Sequence, residues 1–243
     1  MKRILYVFIT VIILAAIILS AAFSVKPHPK PPAKADLAVK RTSERISYTI
    51  SPLKGTAQYR EVGLVQLDGK PAQLVIFETH VGGFKDIEKI YSDPVSFLVL
   101  KVDRDVSGWF GREHIIEEYD QSNFTVKISK FKGKKKTEET LLKADGPIYN
   151  AIILPFHQRQ AVPFSKGWTR TFRIPKKIEV KLSAIEKIEV GGRSYEAYRF
   201  SGTPGQFDFW ISKNDPHVPL KIKGGGVFKY SLLINGYSRE NSQ

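Results

Sequence analysis

The amino-acid sequence predicts a mostly β fold: an antiparallel sheet domain that follows an N-terminal transmembrane helix. Three observations carry this reading. Ile4 to Val25 contains no charged residue. From about Leu37 onward, apolar side chains recur with a period of two rather than 3.6, the mark of strands with one buried and one wet face. Turn signals such as Asp68-Gly69, Gly82-Gly83, Lys132-Gly133 and Gly191-Gly192 separate the runs.

The apolar run is roughly 20 residues long, and at about 1.5 Å per residue it matches the hydrocarbon thickness of a bilayer. Lys2 and Arg3 give it a positive cytoplasmic flank. Residues 1–25 therefore read as a signal anchor, the alternative being a signal peptide cleaved near Ala22. Either way the rest of the chain is exported, to an inner-membrane protein with a periplasmic domain or to a free periplasmic one. Residues 26–36 form a Pro/Lys-rich linker. Proline at nearly alternate positions forbids a helix there and favours an extended spacer.

Residues 37–243 make up the β domain. Phe207, Phe209 and Ile211 alternate with polar or outward positions, as do Val218, Leu220 and Ile222, then Phe228, Tyr230, Leu232 and Ile234. Phe124, Val126 and Ile128 do the same upstream. Such spacing reads as an antiparallel meander, closed into a barrel or curled around a core. One stretch departs from it. In Gly146 to Gln158, Ile148, Ile152 and Phe156 stand at helical spacing behind Asp145, which predicts a short helix packed on the sheet, with Pro155 ending or kinking it.

With 42% hydrophobic residues the chain has enough apolar mass for a core. The absence of cysteine excludes disulfides, Cys-ligated metals, thiol catalysis and a lipid-modified N-terminal cysteine. The formal charge is +14, of which Lys2 and Arg3 contribute two, leaving +12 behind the apolar run. That balance favours anionic partners. Lys130, Lys132, Lys134, Lys135 and Lys136 cluster around a hairpin tip and are the candidate contacts to an anionic surface. Nucleic acid is not an expected partner for an exported domain.

No catalytic signature occurs. There is no Gly-x-Ser-x-Gly elbow and no phosphate loop. The five histidines (His28, His80, His114, His157, His217) show no close ligand spacing, so neither a metal nor a cofactor is expected. Glu117 and Glu118 are neighbours on a strand and point to opposite faces, which argues against a catalytic carboxylate pair.

Several blocks in order resemble the family of bacterial envelope proteins catalogued as domain of unknown function 3108. They are Tyr48-Thr49-Ile50-Ser51 leading to Gly55-Thr56-Ala57, Ile90-Tyr91-Ser92-Asp93, and Glu117-Glu118-Tyr119-Asp120. The GPIYNAIILPFHQR segment and Gly191-Gly192 to Ala197-Tyr198 follow. Last comes Phe209-Trp210-Ile211-Ser212 running to Val218-Pro219-Leu220-Lys221-Ile222, the most specific block. The resemblance implies a half-barrel like that of the periplasmic lipoprotein carriers, a curved antiparallel sheet around a short plug helix, and it implies no enzymatic activity. A ligand cavity in such a sheet would be lined by Phe209, Trp210, Trp168 and Phe156, and Phe164 and Phe172 are large enough to help fill it. The expected function is a non-enzymatic module binding a lipid or other apolar ligand. The alternative is an accessory envelope factor that docks a protein or anionic polymer through its basic face.

Overall fold

The computed structural model describes residues 42–109, 111–204, 207–224 and 229–241. The predicted anchor and linker, as well as Phe228, lie outside the described residues, within which no helix is long and apolar enough to cross a membrane.

Fourteen strands form one curved, open antiparallel sheet. The first eight are β1 (Thr42–Ser51), β2 (Gly55–Leu67), β3 (Lys70–Val81), β4 (Phe84–Ser92), β5 (Val99–Gly108), β6 (Gly111–Asp120), β7 (Thr125–Lys132) and β8 (Lys135–Lys143). After a helix, α1 (Leu154–Gln158), and a short 3-10 turn come β9 (Thr169–Ile174), β10 (Lys176–Val190), β11 (Arg193–Thr203), β12 (Phe207–Ser212), β13 (Pro219–Gly224) and β14 (Tyr230–Asn241). Their spatial order is β8-β7-β6-β5-β4-β3-β2-β1-β14-β13-β12-β11-β10-β9. Both halves are meanders, joined where β1 pairs antiparallel with β14. The turns follow from local chemistry. Asp68-Gly69 (φ 50° and 78°) and Gly191-Gly192 (56° and 75°) are left-handed at both positions, as a two-residue type I′ hairpin turn requires.

The inner face carries the main core. Ile46 and Tyr48 of β1, Tyr59 of β2, Phe77 of β3, Phe200 of β11 and Phe209 of β12 all belong to one buried apolar cluster. The segment between β8 and β9 crosses this face as a plug. Its Ile153, Leu154 and Phe156 are each 1% exposed. Phe156 stacks on Tyr59 with ring centres 3.9 Å apart and meets Tyr48 edge-on.

The plug is less helical than its spacing predicts. Only Leu154–Gln158 is α-helical, with Pro155 in its first turn. Proline fits there because the first N–H groups of a helix have no intrahelical partner. Asp145 is not a cap; its carboxylate receives the Arg173 guanidinium of β9. Ile148 lies in a parallel bridge to Arg173 instead of on a helix face.

Candidate functional site

Phe209 and Trp210 are consecutive in β12 and so face opposite sides of the sheet. Phe209 packs in the inner core, stacked on Phe200 with centres 4.8 Å apart. Trp210 belongs to a separate cluster with Val190, Ala197 and Leu220. The two ligand candidates therefore do not share one pocket. Phe156 lies in the inner core, and Trp168 packs partly buried against it, edge-on to Phe164 and Phe200. The four aromatics divide between a filled interior and the outer face.

On that outer face Trp210 sits beneath cations. The charged atoms of Arg199 (β11), Lys221 and Lys223 (β13) lie 5.2, 5.1 and 5.5 Å from its ring centre. Its indole N–H donates to Glu186 Oε1 at 2.6 Å, and Asp208 takes Arg199 at 2.9 Å. The long basic side chains thus cover an apolar ring that no second layer covers among the described residues. Burial, together with the charge of Lys223, lowers the Lys221 pKa.

Two ionic networks are buried on the inner face. In the first, Arg104 of β5 makes a two-pronged contact with Asp86 of β4, Nε to Oδ1 at 2.9 Å and the second nitrogen to Oδ2 at 2.5 Å, and also approaches Glu88 at 3.4 Å. All three side chains are nearly inaccessible. Burial raises the Glu88 pKa; Arg104 opposes this, and the Asp86 and Glu117 charges reinforce it. Glu117 of β6 is raised by burial too, and it accepts the Tyr119 hydroxyl at 2.5 Å. In the second network, Arg159, just after α1, forks onto Glu44 of β1. Beside it, burial and then the Glu44 charge raise Glu61. His157 on α1 is half-buried, and burial with the Arg159 charge lowers its pKa to about 4.

The alternation of β4 places Asp86 and Glu88 inward with Ile90, and turns the more apolar Ile87 outward. Sequence reading missed this network because the charge that compensates these carboxylates comes from the next strand. Glu117 and Glu118 do point to opposite faces, Glu118 pairing with Lys127.

Asp103, Asp105 and His114 place three potential ligand atoms within 4.8 Å of one another on β5 and β6. His114 Nδ1 is 3.0 Å from Asp105 and 3.6 Å from Asp103. This is the one set with metal-ligand spacing among the described residues, and cross-strand pairing rather than sequence spacing creates it.

The lysine cluster lies on the β7–β8 hairpin. Lys130 pairs with Glu138 and Lys136 with Glu139, whereas Lys132, Lys134 and Lys135 are exposed without ion pairs among the described residues. Two clefts of about 340 and 280 Å³ open on the surface of β1 to β4, the second also reaching Asn235 of β14, and they are lined by residues such as Lys54, Thr56, His80 and Glu78; neither includes any of the four aromatic candidates. No model of a known protein family matches the chain, and no curated protein matches it.

Proposed function

We propose that this chain is a non-enzymatic binding module of the bacterial cell envelope that docks an anionic partner through its basic exterior. The observation that carries this reading is the plug. Ile153, Leu154, Phe156, Phe164 and Phe200 occupy the concave face where an acyl chain would lie, and all five are buried. The +12 balance behind the apolar run and the unpaired hairpin lysines supply attraction for an anion. The curved sheet around a plug supports the finer half-barrel reading, akin to the periplasmic lipoprotein carriers. Anchorage through residues 1–25 and a periplasmic location belong to the same proposal, on the strength of the apolar run.

Native mass spectrometry of the full chain released from neutral detergent tests it. The expected result is a clean apo mass, with retention on an immobilised polyanion that falls with added salt. A stoichiometric, solvent-extractable lipid would overturn the filled-core reading and point to an apolar ligand held by displacing α1.

A further inference from the structure

Among the described residues the topology keeps acidic turn positions off one rim. Antiparallel pairing puts the β1–β2, β3–β4, β5–β6, β7–β8, β9–β10, β11–β12 and β13–β14 turns at one end of the sheet. Lys54, Lys132, Lys134, Lys135, Lys176 and Lys229 occupy turns or strand ends there. None of the six makes an ion pair among the described residues. No Asp or Glu holds a turn or strand-terminal position on this rim among them.

The opposite rim is mixed: Asp68, Asp93, Asp120, Asp145 and Asp215 stand there with Lys70, Lys143, Lys166, Arg193 and Lys213. Several of the aspartates have local duties. Asp93 accepts the Val95 and Ser96 amides, and Asp120 those of Ser122 and Asn123, the usual reason for aspartate in a turn. The lysines of the first rim satisfy no backbone group, so turn formation does not explain them.

Two large apolar side chains are exposed on the basic rim: Trp109 at 75% and Leu53 at 41%. Trp109 lies across the β3–β4 turn, where a Cβ on Gly83 would fall 2.7 Å from its indole nitrogen. Exposed Trp beside unpaired Lys is the pattern of a bilayer interface, where an amphipathic ring sits at headgroup level and ammonium groups meet phosphates.

We propose that the basic rim is a docking surface for an anionic phospholipid bilayer, with Trp109 and Leu53 entering the headgroup layer and the rim lysines meeting lipid phosphates. This rests on the anionic-partner reading and names the partner. β1 begins at the opposite rim, so Thr42 and the docking rim lie at different ends of the sheet.

The test uses the full chain held in nanodiscs of phosphatidylcholine and mixed with sedimentable vesicles. Vesicles with one-third phosphatidylglycerol should capture it, and pure phosphatidylcholine vesicles should not. Capture should fall on raising the salt. A triple K132Q, K134Q, K135Q variant should bind roughly a hundredfold more weakly, from about 1 kcal/mol per lysine near the surface. Trp109 emission should shift to the blue on capture, and Trp109→Ser should lose that shift. Unchanged capture by the triple variant and by Trp109→Ser, with loss in a K221Q, K223Q variant, would overturn the rim while sparing the anionic reading. Failure of the wild type to bind both phosphatidylglycerol vesicles and soluble polyphosphate would overturn both.

Discussion

Gln121 and Ile148 exchange two hydrogen bonds: the Gln121 amide donates to the Ile148 carbonyl at 2.9 Å and accepts the Ile148 N–H at 3.0 Å. The side chain acts here as a strand would, and its nitrogen also donates to Val99 O at 2.7 Å. Gln121 follows β6, while Ile148 bridges Arg173 of β9 at the far edge of the sheet. One short stretch of plug thereby joins two regions that the open sheet keeps apart.

Gln121→Ala should therefore cost about 1–3 kcal/mol, by stranding backbone groups that are partly buried. Amide exchange at Ile148 should accelerate beyond the global change in stability. Equal protection at Ile148 in variant and wild type would show that Gln121 is not the clasp.

Removing Arg104 leaves Asp86 and Glu88 buried without their cation. Arg104→Met should destabilise the fold by about 3–5 kcal/mol, measured by denaturant unfolding. Replacing all three with apolar residues should recover most of that loss, because a buried ion pair contributes little beyond compensating its own burial.

His157 and Glu88 predict opposite pH slopes. His157, held down to about 4 against an ordinary 6.5, stays neutral in the fold while the unfolded chain takes up a proton. Stability is thus lost as pH falls from 6.5 towards 4, by on the order of 2–3 kcal/mol. Glu88 is raised, so its contribution is present at acid pH and lost as pH rises above the ordinary carboxylate range. Melting temperatures across this range should lose the acid slope in His157→Gln and part of the alkaline one in Glu88→Gln.

Gly55 opens β2 against β3. A Cβ there would stand 2.5 Å from the His80 carbonyl oxygen and 2.6 Å from a Val81 methyl. A backbone atom cannot swing aside, so Gly55→Ala should cost about 1–3 kcal/mol through strand displacement. A melting temperature equal to wild type would refute this.

Much of the sheet was legible because period-two alternation survives wherever one face is dry. Phe207, Phe209 and Ile211 all join the inner core. The alternation also shows that Phe209 and Trp210 face opposite ways. Other features were not legible. Leu220 falls at a register shift between β12 and β13, which turns it to the outer cluster while Val218 and Ile222 face inward. Asp86 and Glu88 look solvated until Arg104 arrives from another strand. The helical spacing of Ile148, Ile152 and Phe156 was apolar clustering on a plug, not a continuous helix. The pairing of β1 with β14 joins the two ends of the domain, and no local pattern announces it.

That last seam has a topological consequence. Since Thr42 and Asn241 are direct partners, the order β9 to β14 followed by β1 to β8 is an unbroken up-and-down ribbon. The native chain is a circular permutant of that ribbon, opened between two central strands and joined through the plug. A gene rearranged to start at β9 and end at β8, with a short loop sealing the seam, would encode every strand pair through local hairpins alone. What it would lose is the covalent hold on the plug, so in this fold the permutation that places the first and last strands mid-sheet is also what keeps the core filled.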